Sequence, residues 1–120
     1  MQRILVVDDN TEICDVLYEF LTWKGYEVYQ AYDSATALQQ VQAVRPHIIL
    51  LDVVMPWVDG IATLQEIKKI DPSVGVIMLT AVLDEPLAKK AMALGAYDYI
   101  TKPVNLEYLE VVLMTKIATS

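Results

Sequence analysis

Residues 48–60 read IILLDVVMPWVDG, and this stretch decides how the rest of the chain is interpreted. Four apolar residues run without interruption into the carboxylate of Asp52, and a Met-Pro pair and an Asp-Gly pair follow it. A short apolar run bounded by turn residues is typical of a strand that is buried on both faces of a parallel sheet. An acid at the end of such a strand is unfavourable unless it is compensated, which suggests a chemical role.

Short β-branched runs of this kind alternate with helical periodicity along the whole chain. Strands are predicted at 3–7, 27–31, 48–51, 75–79 and 98–101. Each is followed by a helical pattern, and the predicted caps and stops include Gly25, Asp33, Gly95 and Asn105. Strict alternation predicts right-handed crossovers and a parallel sheet covered on both faces. We therefore predict an α/β, flavodoxin-like, doubly wound (βα)5 fold with a five-stranded parallel sheet, whose strand order in this class is 2-1-3-4-5.

Length and composition limit the possible functions. The 120 residues suit one domain, predicted to span 1–120, and 55% hydrophobic residues exclude a disordered chain. No apolar run approaches the roughly 18 residues of a membrane span, and the first residues do not resemble a signal peptide. A net charge of −7 argues against direct binding of nucleic acid. The single cysteine, Cys14, suits a reducing compartment, so we expect a cytoplasmic domain.

Polar residues stand where the predicted strands end. Asp8 and Asp9 follow the first strand, Asp52 the third, Thr80 the fourth and Lys102 the fifth. The carboxyl ends of parallel strands share one edge, and ligands bind there. In the order 2-1-3-4-5 the three acids crowd together, with the threonine and the lysine on the far flank.

Such a cluster of acids needs a positive charge. Two carboxylates about 4 Å apart repel by roughly 4 kcal/mol at an effective dielectric constant of about 20. Mg²⁺ characteristically binds one or two carboxylates together with waters and phosphate oxygens. An Asp that follows a strand is often only a helix cap, and Asp33, beside an edge strand, is interpreted that way. Lys102 precedes Pro103, which redirects the chain and can aim the ammonium inward.

Four motifs in this order match a known family. They are ILVVDDN at 4–10, LLDVVMPWVDG at 50–60, MLTA at 78–81 and GAYDYITKPV at 95–104. On these motifs the chain resembles a response regulator receiver domain over nearly its whole length. The resemblance implies that Asp52 is the phosphoacceptor and that Mg²⁺ is bound directly by Asp9, mostly through water by Asp8, and by the backbone carbonyl of Val54.

The same resemblance assigns the remaining site residues. It implies that Thr80 and Lys102 hold phosphoryl oxygens, that Tyr99 is the switch aromatic and that the Lys102–Pro103 peptide bond is cis. It also implies an output surface on the fourth helix, fifth strand and fifth helix, for a homodimer or an effector. On the fifth helix we predict that Leu106, Leu109 and Leu113 face the sheet while Tyr108, Val111 and Met114 point largely away.

The implied phosphoryl donor is a sensor histidine kinase or a histidine phosphotransfer protein. His47, the only histidine, lies five residues before Asp52, about 16 Å along a strand. It cannot donate within the chain, so the donor is a separate protein. The domain is then a signalling module, not an enzyme with turnover.

Two other classes remain open on sequence grounds. A haloacid-dehalogenase-like phosphatase also uses an aspartate nucleophile, but it has a DxDxT motif after its first strand, whereas Asp52 precedes VVMP. A flavin-binding flavodoxin-like module needs a Ser/Thr/Gly-rich loop after its first strand. The loop DDNTEI found here repels a phosphate unless a metal is bound.

Two valines carry an expectation about the lifetime of the phosphorylated state. Val54 and Val82 stand two residues past the acceptor and two past the threonine, where fast-cycling members of the family often carry amide or acidic side chains. Valines offer no hydrogen bond to an attacking water. The resemblance therefore implies a slowly decaying phosphoprotein.

Overall fold

The computed structural model describes residues 2–52, 54–55, 58–81 and 84–119, with the backbone alone for residues 54, 55, 58 and 119. Trp57 and Val82 lie outside these residues. Among the described residues, no helix is long and apolar enough to cross a bilayer. The strands are β1 (Arg3–Val7), β2 (Glu27–Ala31), β3 (Ile48–Asp52), β4 (Val54–Met55), β5 (Val58–Asp59), β6 (Gly75–Thr80) and β7 (Asp98–Thr101). The helices are α1 (Thr11–Trp23), α2 (Ser34–Val44), α3 (Gly60–Ile70), α4 (Glu85–Ala93) and α5 (Leu106–Thr119).

The main sheet has five parallel strands in the order β2-β1-β3-β6-β7. Without the short strands β4 and β5, this is the predicted order 2-1-3-4-5, so the predicted fold is confirmed. The prediction missed β4 and β5, which pair antiparallel with two residues each. Strands β3 and β6 are one residue longer than predicted and include Asp52 and Thr80 as their last residues.

The alternation of side chains along each strand builds two cores. Successive residues of a strand point to opposite faces of the sheet. In β1, Leu5 and Val7 therefore join the core under α2, α3 and α4, while Ile4 and Val6 join the core under α1 and α5. Strand β3 is buried at all five positions because helices cover both faces.

Three of the predicted caps and stops, Gly25, Asp33 and Gly95, stand at helix ends, whereas the cap at Asn10 was not predicted. Asn10 and Asp33 cap the N-termini of α1 and α2 through their side-chain oxygens. Gly25, after α1, and Gly95, after α4, take positive φ angles of 97° and 105°, which glycine adopts without strain. Because the main sheet is parallel, the carboxyl ends of β1, β6 and β7 lie at the same end of the sheet as Asp52.

Candidate functional site

The register of the sheet brings Asp8 and Asp52 together. Val7 pairs with Leu51, so the residues that follow them stand side by side at the carboxyl ends of β1 and β3. Asp8 is 1% exposed and Asp52 is 4% exposed, whereas Asp9 is exposed. One carboxylate oxygen from each of these three acids lies within 4.8 Å of the other two. The predicted clustering of the three acids is therefore confirmed.

Lys102 lies between the acids and not on the far flank where the sequence placed it. Its Nζ donates to Asp8 Oδ2 at 2.8 Å and lies 3.3 Å from Asp52 Oδ1. The Lys102–Pro103 peptide bond is cis, as predicted. Burial alone lowers the pKa of Lys102, but the hydrogen bond to Asp8 and the charge of Asp52 outweigh it and raise the pKa overall. The ammonium therefore stays charged and compensates part of the acid cluster.

Asp8 is held at all of its polar atoms. Its backbone N–H donates to the Ala31 carbonyl at 3.1 Å, and its own carbonyl accepts the thiol of Cys14 at 3.3 Å. Its Oδ1 accepts the backbone N–H of Asn10 at 2.9 Å, and its Oδ2 accepts Lys102. Burial, followed by the charge of Asp8, raises the pKa of Cys14 to about 11, so the thiol keeps its proton and can donate. Asp8 is thus fixed before any ligand arrives.

Thr80 and Tyr99 lie on strands β6 and β7, on the other side of β3 from Asp8. Thr80 is buried at the end of β6, and its carbonyl accepts the backbone N–H of Lys102. Tyr99 packs against the core under α2, α3 and α4, and its buried hydroxyl has no hydrogen-bond partner among the described residues. The threonine thus stands beside the lysine, and the tyrosine lies in the adjacent strand β7.

The acid cluster suits a hard divalent cation. All three donors are carboxylate oxygens, two of them belong to buried side chains, and the ammonium of Lys102 compensates part of their charge. Oxygen donors of this kind are those that Mg²⁺ prefers in proteins. The backbone of Val54 belongs to β4, two residues after Asp52, and the role of its carbonyl remains a prediction.

Asn10 contacts the site, although the sequence interpretation left it without a role. An Asn directly before a helical run is a capping signal, and its position next to Asp8-Asp9 could have indicated its contact with the site. Trp57 and Val82 lie outside the described residues, as does the side chain of Val54. The expectation of a slow phosphoryl loss therefore stays a prediction.

His47 lies at the opposite end of β3 from Asp52. Its Nδ1 accepts the backbone N–H of Arg3 at 2.9 Å, and its carbonyl accepts the N–H of Gly75. This position agrees with the prediction that His47 cannot supply a phosphoryl group to Asp52. Its contacts instead join the beginnings of three strands.

We expect His47 to titrate below its ordinary pKa. Partial desolvation, and then the charge of Arg3, lower the pKa of His47 below 6.5, the value of a free histidine. Because the folded chain takes up this proton less readily than the unfolded chain, the contribution of His47 to stability is complete above about pH 6.5 and falls as the pH drops towards the folded pKa. Titration of the imidazole by NMR checks the shift, and His47→Gln should flatten this part of the pH–stability curve. A folded pKa at or above 6.5 would contradict the expectation.

Comparison with known proteins decides the family. The chain matches the response regulator receiver domain over residues 4–114. It belongs to the response regulator receiver family. Chemotaxis protein CheY of Treponema pallidum is 37% identical over 106 residues, which are 86% of this receiver chain and 74% of that protein. Such domains are the phosphoacceptor modules of two-component signalling, and neither the phosphatase nor the flavin-binding alternative is favoured.

Two further similarities are to proteins longer than this chain. Transcriptional regulatory protein ZraR of Salmonella typhimurium is 39% identical over 115 residues, which are 96% of this chain and 26% of that protein. The receiver thus spans about a quarter of the length of that relative. The crystal structure of a Burkholderia pseudomallei response regulator, with a phosphorylated aspartic acid, calcium ion and citrate, has a TM-score of 0.90 and 27% identity. The match covers 99% of this chain and 70% of that one.

Proposed function

We propose that this receiver accepts a phosphoryl group on Asp52 from a phosphohistidine of a separate sensor histidine kinase or histidine phosphotransfer protein. One observation carries the proposal. Asp52 is a buried carboxylate at the end of a central strand, with the ammonium of Lys102 at 3.3 Å and two further carboxylates within 4.8 Å. The phosphorylated aspartic acid in the similar Burkholderia protein supports it.

For this transfer the protein must position the reacting groups and compensate the negative charge on the oxygens. An oxygen of Asp52 attacks the phosphorus of the donor, the phosphorus–nitrogen bond breaks, the imidazole leaves with the electron pair, and an acyl phosphate remains. Lys102 and Thr80 stand where they can donate to the phosphoryl oxygens as negative charge moves onto the aspartyl side. Asp9, Asp52 and the backbone carbonyl of Val54, with Asp8 acting mostly through water, would hold a divalent cation, which would supply the positive charge that the crowded oxygens require.

The proposal is tested by phosphorylation of the wild type. Acetyl phosphate with Mg²⁺ should add the mass of one phosphoryl group, and chelation of Mg²⁺ should prevent it. Neutral hydroxylamine should release the group, since it cleaves acyl phosphates and leaves serine and threonine esters intact. An unmodified protein, or a modification that resists hydroxylamine, would overturn the proposal.

We also propose that the domain is cytoplasmic, because the free thiol of Cys14 suits a reducing compartment.

The proposal includes an output surface on α4, β7 and α5 that binds a second copy or an effector after phosphorylation. Leu109 and Leu113 are fully buried against the sheet, as predicted. Tyr108, Val111 and Met114 are large side chains of α5 that are 50%, 59% and 58% exposed. Added negative charge at Asp52 can draw Thr80 inward and let Tyr99 move, which alters the surface that β7 and α5 share.

We expect Val111→Lys to abolish phosphorylation-dependent association. Val111 is 59% exposed, so a lysine fits there without disturbing the core but places a charge in any apolar contact. Val16→Lys is a matched control, because Val16 is 56% exposed and lies on α1. Sedimentation of wild type, variant and control, each with and without acetyl phosphate and Mg²⁺, makes the comparison. The surface assignment fails if wild type stays monomeric with and without acetyl phosphate and the Val111→Lys variant loses no binding partner.

A further inference from the structure

Two hydrogen bonds orient the carboxylate of Asp8, and under the proposed function only one of them persists during phosphoryl transfer. Oδ2 accepts the ammonium of Lys102, and Oδ1 accepts the backbone N–H of Asn10. Lys102 also lies 3.3 Å from Asp52 and, under the proposed function, turns to the phosphoryl oxygens during transfer. The bond from Asn10 is then the one that still fixes the plane of the Asp8 carboxylate.

The side chain of Asn10 fixes the direction of that backbone N–H. Its Oδ1 accepts the N–H groups of Glu12 at 3.0 Å and Ile13 at 3.2 Å, which closes the first turn of α1. Its carbonyl accepts the N–H of Cys14 at 3.1 Å as the first bond of the helix. Helix α1 is in turn anchored by the buried Cys14 and Leu17. Asn10 therefore connects a rigid helix to one oxygen of the acid site.

We propose that Asn10 is a positioning residue for the divalent cation, acting through Asp8. The capped turn holds the Asn10 N–H against Oδ1, so that the carboxylate of Asp8 faces the cation in a single orientation. This inference rests on the proposed function, because it assumes that Asp8 belongs to a cation site. Groups that orient the ligands of a metal contribute about 10-fold to 100-fold to its affinity.

The chemistry of the two common divalent cations gives a readout that a purely structural role does not move. Mg²⁺ demands near-ideal octahedral geometry, whereas Ca²⁺ accepts flexible arrangements of oxygen ligands. A loosened Asp8 therefore harms Mg²⁺ binding more than Ca²⁺ binding. Asn10→Ala should weaken Mg²⁺ binding by about 10-fold and Ca²⁺ binding by about threefold or less. The preference of the site for Mg²⁺ falls accordingly.

The experiment titrates each cation into the ¹⁵N-labelled protein and follows the amide signals of residues near the three acids. Asn10→Ser should restore wild-type affinities, since serine caps a helix as well as asparagine does. Asn105→Ala is the matched control, because Asn105 Oδ1 caps the first turn of α5 through the N–H of Tyr108 at 3.0 Å. It loses the same kind of cap and should keep its Mg²⁺ affinity. Circular dichroism verifies that each variant is folded.

The outcomes separate this inference from the function on which it rests. If wild type binds Mg²⁺ and Asn10→Ala stays within about twofold of it, or if Asn105→Ala weakens binding equally, the role of Asn10 is overturned while the cation site stands. An equal loss of Mg²⁺ and Ca²⁺ affinity also overturns it. If wild type shows no Mg²⁺-dependent shifts, or Asp9→Ala retains them, the cation site fails and the inference fails with it.

Discussion

Asp52→Asn should take up no phosphate at all from acetyl phosphate and Mg²⁺, under conditions in which wild type takes up one. The amide has nearly the shape of the carboxylate but lacks the anionic oxygen that attacks phosphorus, and no neighbouring residue replaces it. Asp8 is engaged at both carboxylate oxygens, and Asp9 is exposed on the loop. Intact-mass spectrometry at several times after mixing measures the uptake.

The fold should survive this substitution. Asp52 belongs to a cluster of three acids, so removal of its charge relieves repulsion that offsets the lost attraction to Lys102. Asp33→Asn serves as the control, because Asp33 caps α2 at the same edge of the sheet and an asparagine keeps that cap. This control should be phosphorylated like wild type. A phosphorylated Asp52→Asn protein would remove Asp52 as the acceptor.

Lys102→Met should move two properties in opposite directions. Phosphorylation should slow by about 10²-fold to 10³-fold, as is typical when a donor to a developing oxyanion is removed. Mg²⁺ binding should strengthen by about 10-fold, because the ammonium 2.8 Å from Asp8 Oδ2 competes with the cation for the same acids, and tenfold needs only about 1.4 kcal/mol. Rates from intact-mass spectrometry and affinities from NMR titration give both values.

The Lys102 experiment is informative because phosphorylation and Mg²⁺ binding are expected to change in opposite directions. Damage to the fold would weaken Mg²⁺ binding and phosphorylation together. Lys102→Arg keeps the positive charge, so its Mg²⁺ affinity should stay close to that of wild type. Weaker Mg²⁺ binding in the methionine variant would show that the ammonium does not compete with the cation, and an unchanged rate would remove Lys102 from the transfer.

Much of the fold was predictable because the hydrophobic pattern determines it locally. All five predicted strands occur, since a run such as 48–51 has no other way to bury every side chain than between two layers of helices. Asp52 and Thr80 extend their strands by one residue because the neighbouring ladders continue that far: Asp52 pairs with Leu79 and Thr80 with Thr101. The antiparallel pair β4–β5 was not predictable, because two-residue strands leave no periodicity to detect.

The sequence predicted the acids that form the site but not the contacts that Lys102 and Asn10 make with them. Parallel topology alone brings Asp8, Asp9 and Asp52 to one edge. The reach of Lys102 depends on the path of the chain at Pro103 and on the rotamers of a long side chain, which no spacing rule gives. Asn10 is recognisable in the sequence as a helix cap, but its contact with Asp8 is made by a backbone N–H, whose partner the residue type does not give.

Helix α4 is attached to the rest of the molecule more lightly than the other helices near the site. Of its nine residues only Ala91 is buried, whereas five residues of α3 are buried. Strand β7, which α4 covers, has four residues and lies at the edge of the sheet, so it forms a ladder with β6 alone. Segments with few buried contacts open locally at a small fraction of the global unfolding free energy. We therefore expect the region from α4 to β7 to open locally more readily than the central strands beside Asp8 and Asp52.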